Sequence, residues 1–392
     1  MEAQRWKEIL TSMGHKVTFV AGQLDRSGIM VPALHFSHPD VYRVHQMVVE
    51  NNVNYRKVEK EIFALAGAIE GELRQVLREN KFDRLIVANV FSLPIHFPLA
   101  VALARVINEY RIYSIARNHD FWWERQRYLK SHCFEFFSRW FPPKSDYLSH
   151  VCINSLAQEE LKRRAGIKST VIGDCFDFAK NYRMDSYARR WRENFGISEK
   201  DIVFLQATRI VPRKRIELAM ELVTELGDPR VVLVLTGDDG DESGGYLVRL
   251  RELDRKLQIR TKYIGNRVGG RREMQDGWRI YTLWDCIANC DLVTYPSVVE
   301  GFGNQFIEAV YFKKPIFVNR YPVFKADIEP LGFETVAING KVTEGTIKRV
   351  RDLLSSPEEV KKMTEKNFEL GRKHFSYEAV REKLEGMFKR MP

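Results

Sequence analysis

Several common features are missing from this sequence of 392 residues, and each absence excludes something. No apolar stretch approaches the roughly 20 residues that cross a bilayer, which argues against a transmembrane helix. The opening Met1-Glu2-Ala3-Gln4-Arg5-Trp6 has neither the apolar core nor the cleavage site of a secretory signal, so a cytoplasmic location is expected. Cysteine is sparse: Cys133, Cys152, Cys175, Cys286 and Cys290 form no Cys-x-x-Cys pair, and no nearby histidine completes a zinc spacing. Buried thiols in a reducing compartment are expected, and structural zinc is not. No internal repeat, low-complexity stretch or nucleic-acid-binding motif is present. Acidic residues number 52 against 62 basic ones, a net charge of +10. That excess suits acidic partners such as phosphorylated small molecules or an anionic membrane surface, and nucleic acid is not among the partners expected.

What is there is an alternation of strand-like and helix-like segments almost from end to end. The length suits two domains, and 44% hydrophobic residues suffice for a core in each. In the first half, Lys16 to Gly22, Asp83 to Asn89 and Arg111 to Ala116 read as strands, as do Val151 to Asn154 and Thr170 to Ile172. Val41 to Asn80 has helical spacing. In the second half the runs VFLQAT (203–208), VVLVLTG (231–237), KYIG (262–265), LVTYP (292–296) and PIFVN (315–319) are each separated by a helical segment. Apolar runs of this length joined by helical crossovers predict parallel sheets covered on both faces, hence two doubly wound α/β units in tandem. The boundary is expected near Gly173 to Asp185, where a charged helix (Tyr187 to Asn194) leads into the second sheet. The spans are 1–178, 179–374 and a closing amphipathic helix, 375–392, crossing back onto the first domain. One feature is awkward. Trp6, Ile9, Leu10 and Met13 form a helical stripe directly before the strand Val17 to Ala21, so the strand that normally opens such a unit is missing. Either the chain starts late, or the first sheet is built unusually.

Three motifs carry chemistry. The first is Glu300-Gly-Phe-Gly-Asn-Gln-Phe-Ile-Glu308, after an apolar strand and Pro296-Ser297. Gly301 and Gly303 let backbone approach a ligand, and the start of the following helix offers unpaired N–H groups to a phosphate. The second is Ala207-Thr208-Arg209-Ile210-Val211-Pro212-Arg213-Lys214-Arg215, a basic loop after the first strand of the second half. The third is Arg117-Asn118-His119-Asp120-Phe121-Trp122-Trp123-Glu124-Arg125, after a strand of the first half.

On these strings the chain resembles the family 4 retaining glycosyltransferases of the GT-B fold, in which two Rossmann-like domains face a cleft. The resemblance is specific in the second half and looser in the first. It implies transfer of a hexose, mannose or glucose, from a nucleotide-diphosphate sugar such as GDP-mannose or UDP-glucose to a hydroxyl of a small polar acceptor, including glycerate-type solutes. Glu300 would hold the transferred sugar and Glu308 the nucleotide ribose, with Gly301, Phe302, Gly303 and Asn304 lining sugar and diphosphate. Arg209 and Lys214 would sit against the diphosphate, where fixed cations stabilise the charge that grows as the sugar leaves. Arg215 stands where the family more often has glycine. Asn266 and Arg267, after a strand, would meet the nucleobase largely through backbone. His119, Asp120, Glu124 and Arg125 would face the acceptor side, Asp120 orienting the His119 ring. His119, Arg209, Lys214 and Glu300 are thus the candidate catalytic set. The resemblance requires no cofactor and no metal, although a divalent ion is compatible with it. The acidic loop Gly237-Asp238-Asp239-Gly240-Asp241 is read as a structural turn. The aromatic cluster Phe134, Phe136, Phe137, Trp140 and Phe141 is read as a core helix. With the basic charge it also suits an alternative, a peripheral transferase at the inner membrane face with a lipid-linked acceptor. A non-catalytic nucleotide-sugar-binding scaffold is the other alternative.

Overall fold

The computed structural model describes residues 2–49, 54–238 and 245–391. The chain divides into two compact units, Met1–Gly173 with Val380–Pro392, and Asp174–Ala379.

The first unit opens with the helix Glu2–Ser12, which buries Trp6, Ile9 and Leu10 as their spacing predicts. The strand expected around Val17 to Ala21 survives only as β1 (Val20–Ala21), paired in parallel with β2 (Ile29–Met30) apart from the main sheet. That sheet consists of β3 (Leu85–Ala88), β4 (Ser114–Asn118), β5 (Leu148–Cys152) and β6 (Ser169–Val171), parallel and in chain order. The expected helical stretch from Val41 to Asn80 is two helices, Pro39–Val49 and Tyr55–Asn80. The second begins at Asn54, whose side chain accepts from the Arg56 N–H at 2.9 Å, and stops where Lys81 turns left-handed. Its stripe Val58, Ile62, Ala66, Ile69 and Leu73 lies against the helix Phe97–Tyr110. That helix also meets Pro39–Val49 and Phe134–Trp140, which is why it is apolar on most faces.

The aromatic cluster is mainly core. Phe136, Phe137 and Phe141 are fully buried against Phe97, while Phe134 is exposed. Burying each of these rings contributes roughly 1.5–3 kcal/mol. All five thiols are buried, and burial pushes Cys133 and Cys152 up to about 11. The helix Tyr377–Phe388 returns to this unit. Its Phe388 ring meets the Arg84 guanidinium at 4.9 Å and the His15 ring at 5.3 Å, and Lys383 Nζ donates to the Val171 carbonyl at 3.2 Å.

The second unit contains β7 (Ile202–Gln206), β8 (Val231–Leu235), β9 (Thr261–Tyr263), β10 (Val268–Gly269), β11 (Glu273–Gln275), β12 (Trp278–Thr282), β13 (Leu292–Tyr295), β14 (Ile316–Asn319) and β15 (Val336–Ile338). Its main sheet is parallel throughout, in the order β15-β14-β13-β7-β8-β9. The first strand therefore lies inside the sheet, and the chain winds outward from it in both directions. The strands nearest the centre are buried on both faces, as their unbroken apolar runs require. The helix expected from Tyr187 to Asn194 is two single turns, Ser186–Arg189 and Trp191–Asn194, broken at Arg190.

An additional small sheet, β10-β12-β11, was not legible as strands. Its hairpin turns at Asp276-Gly277, both with positive φ (49° and 80°), a pairing suited to a two-residue turn between antiparallel strands. Arg272, on the approach to β11, ties this sheet down. It pairs with Asp185 at 2.6 Å and with Asp285, whose side chain is wholly buried. Tyr182 and Thr282 complete the carboxylate's hydrogen bonds, at 2.7 and 2.8 Å. A buried carboxylate so surrounded is paired, as burial of a charge demands.

Candidate active site

In an open parallel sheet, a crevice forms at the C-terminal ends of two neighbouring strands whose crossovers leave in opposite directions. In the second unit those strands are β7 and β13. The loop after β7 carries Arg209, Arg213 and Lys214, and the loop after β13 carries Glu300. The fold brings these two loops together. Lys214 Nζ donates to Glu300 Oε1, and Arg213 donates to Glu300 Oε2 at 3.2 Å. The Val298 N–H donates to the Arg213 carbonyl at 2.9 Å, which stitches backbone to backbone. The Lys214 and Glu300 side chains are only 9% and 10% exposed, so their charges interact in a medium far less screening than water. Burial lowers the Lys214 pKa. The Glu300 carboxylate opposes that, and Arg213 and Arg209 add to the lowering. Arg209 is thus close enough to share the same electrostatic environment.

The loops after β7 and β8 also touch. A Cβ on Gly237 would lie 1.9 Å from the Thr208 carbonyl oxygen, so only glycine lets these two backbones approach. Buried polar groups behind the loop are satisfied: Gln206 donates to Thr208 at 2.7 Å and accepts from Thr294 at 2.7 Å. After Glu300, Gly303 caps the helix Asn304–Tyr311 with φ 137°, and Tyr321 donates to the Phe302 carbonyl at 2.7 Å. Asn304 donates to the Asp174 carboxylate at 3.1 Å, and Glu308 is buried within the helix.

In the first unit the third motif follows β4. Asn89, itself left-handed (φ 58°), accepts from the His119 N–H at 3.0 Å and from the Ser92 hydroxyl at 2.7 Å. The Trp122 N–H then donates to the Ser92 carbonyl at 2.9 Å, so the loops after β3 and β4 hold one another. Glu124 accepts from the Phe121 N–H at 3.1 Å and closes the short turn Trp122–Glu124. Asp120 pairs with Arg125 at 3.2 Å rather than orienting the His119 ring. A carboxylate five residues from a guanidinium in one tight turn finds that partner first. Burial and the neighbouring Arg117 push His119 down to about 3.

The chain is 36% identical over 369 residues to the mannosylglucosylglycerate synthase of Petrotoga mobilis, covering 87% of this chain and 83% of that one. Residues 188–370 match the family described as glycosyl transferases group 1. The chain belongs to the group 1 glycosyltransferases. A second relative, the mannosylglucosylglycerate synthase of Thermotoga maritima, is 32% identical over 98% of this chain and 95% of its own length. A solved glycosyltransferase from Rickettsia africae superposes with a TM-score of 0.69 at 15% identity, covering 99% of this chain and 94% of that one. That likeness concerns the fold, which is α/β and of the GT-B type.

The side chain of Arg267, in the turn whose backbone is assigned to the nucleobase, lies between the Phe195 and Trp278 rings at 4.5 and 4.8 Å from their centroids. It also donates to the carbonyl of Asn194 at 3.1 Å and that of Arg279 at 3.3 Å, so its guanidinium anchors the small sheet. Asn266 lies beside it in the turn Gly265–Arg267. Of the acidic turn at 237–241, Asp239, Gly240 and Asp241 lie outside the described residues. Among the described residues, no group of three or more His, Cys, Asp or Glu is placed to hold a metal ion, and no helix is long and apolar enough to cross a membrane. Sequence reading missed Arg213 as a second cation on Glu300, and it missed Tyr295 and Tyr321, which pack around Gly303. Arg213 lay within the quoted motif. The tyrosines carried no signal beyond being apolar strand and loop residues.

Three histidines shielded from water predict an acid sensitivity of the fold. Burial holds His96 and His150 down to about 4 and His119 to about 3, against 6.5 for an ordinary histidine. Between those values the unfolded chain binds protons that the native chain does not, so stability falls as pH drops from 6.5 toward 4. Denaturant titrations across that window are expected to show stability falling with decreasing pH, less so in a His96→Gln/His150→Gln variant. A flat profile, or one unchanged by the substitutions, would show these rings titrating normally.

Proposed function

We propose that this glycosyltransferase moves a mannosyl group from GDP-mannose to a hydroxyl of glucosylglycerate, with retention at the anomeric carbon. The observation that carries the reading is the Lys214–Glu300 pair, with Arg213 beside it, at the switch point between β7 and β13. In this reading Arg209 and Lys214 take the charge developing on the departing diphosphate, and the N–H groups at the start of helix Asn304–Tyr311 add their dipole. Glu300 accepts hydrogen bonds from the transferred sugar, and Glu308 from the ribose. The Gly301–Asn304 backbone lines sugar and diphosphate, and the Asn266 backbone meets the base. The loop carrying His119, Asp120, Glu124 and Arg125 is assigned to the acceptor. No side-chain base is needed where the leaving phosphate takes the acceptor's proton, and no cofactor is called for beyond the nucleotide sugar.

The choice of mannose and of a glycerate-bearing acceptor rests on the two relatives, whose names state that product. The experiment is incubation of the full chain with glucosylglycerate and either GDP-mannose or UDP-glucose, with the product's anomeric carbon read by NMR. Formation of an α-mannoside from GDP-mannose is expected. A β-linked product would overturn retention, preference for UDP-glucose would overturn the donor assignment, and no transfer from either would sink the reading.

A further inference from the structure

A second basic centre lies at the other end of the first unit's sheet. A groove of about 380 Å³ is lined by Ala104, Arg105, Asn108, Arg139, Trp140, Pro143 and Lys144. The helix Phe97–Tyr110 runs back from the C-terminal ends of the strands, where the third motif lies. At 1.5 Å per residue, Arg105 and Asn108 are about 14–18 Å along its axis from His96. Lys144 shortly precedes the start of β5. The groove therefore belongs to the N-terminal edge of the sheet, remote from His119 and its neighbours.

The lining holds three cations and no carboxylate. Arg105 is held in place by Glu70 at 3.0 Å, while Arg139 and Lys144 pair with no carboxylate among the described residues. The guanidinium carbons of Arg105 and Arg139 lie 5.9 and 5.4 Å from the Trp140 ring centroid, so the indole fixes both. Asn108 accepts from the Ser145 hydroxyl at 2.8 Å, which steadies the segment carrying Lys144. Cations left uncompensated on a surface usually spread apart. Here two planar forks and one point charge are gathered around an aromatic wall, an arrangement that suits a multiply charged oxyanion better than a single carboxylate.

We propose that this groove binds a phosphate group, with Arg105, Arg139 and Lys144 as its charge partners and Trp140 flanking whatever carries it. The phosphate belongs either to a soluble phosphorylated molecule or to the headgroup of an anionic lipid. The test compares the full-length wild type with the double variant Arg139→Ala/Lys144→Ala, whose substituted side chains are exposed and whose fold is checked by its thermal midpoint. Inorganic pyrophosphate is titrated into both by calorimetry. Any binding at Lys214 and Arg209 is common to the two proteins and drops out of the comparison. The wild type is expected to show one binding event that is weakened at least about tenfold in the variant. Co-sedimentation with phosphatidylglycerol vesicles, against phosphatidylcholine controls, then separates the sources. Retention of the wild type but not the variant assigns the phosphate to a lipid headgroup. Retention of neither, with the calorimetric difference intact, assigns it to a soluble ligand. Identical isotherms for wild type and variant would overturn the proposal.

Discussion

Replacing Lys214 with methionine is expected to lower the rate of sugar transfer by about 10²–10³-fold, the usual effect of removing one preorganised group aimed at charge that develops in the transition state. The substitution also leaves the Glu300 carboxylate with Arg213 as its remaining cation, so some loss of stability accompanies it. A second variant separates the two effects. Lys214→Met/Glu300→Gln removes both charges of the buried pair, which is expected to restore much of the thermal midpoint and none of the rate. Were the double variant to regain transfer, Lys214 would serve the fold alone, and the proposed role against the diphosphate would be wrong. Methionine is chosen because it keeps the length of the buried stem, so a cavity does not confuse the comparison.

Gly303→Ala is expected to cost about 2–5 kcal/mol of stability and to abolish donor binding, through two separable faults. The φ of 137° lies in a region that only glycine occupies comfortably. The new Cβ would also lie 2.5 Å from the Tyr321 hydroxyl and 3.5 Å from the Tyr295 ring. Tyr321 cannot withdraw, because it is 1% exposed and its hydroxyl is bonded to the Phe302 carbonyl. Adding Tyr321→Phe removes the clashing oxygen but leaves the dihedral strain, so only part of the loss is expected to return. Chemical denaturation of the wild type and the two variants reads the two contributions separately. A Gly303→Ala protein as stable as wild type would mean that the loop relaxes freely and that its geometry is not held by the tyrosines.

The sequence was most readable where a single physical demand dominated. β7, β8 and β13 are buried on both faces, and an unbroken apolar run is the direct imprint of that burial. The switch-point loops were readable because glycines and charges cluster where backbone and cation must both approach a ligand. Elsewhere two demands overlapped. The segment from Val268 to Thr282 alternates arginine with exposed Met274 and Trp278, so neither strand periodicity nor burial marks it. The internal duty of the Arg267 side chain was hidden because the rings that hold it, Phe195 and Trp278, are distant in sequence or carry no pattern of their own. Asp120 illustrates the same limit at short range. Its two possible partners, His119 and Arg125, lie in one motif, and geometry rather than spacing decided for the arginine.

The return of the last helix to the first unit bears on how the molecule comes into being. The first unit is made of two stretches separated by the whole of the second, which is continuous from Asp174 to Ala379. A ribosome therefore delivers every strand of the second unit before Phe388 can meet Arg84 and His15. The sheet β7 to β15 can close during synthesis, whereas the first unit stays incomplete until Val380 and the residues after it have followed the whole of the second unit.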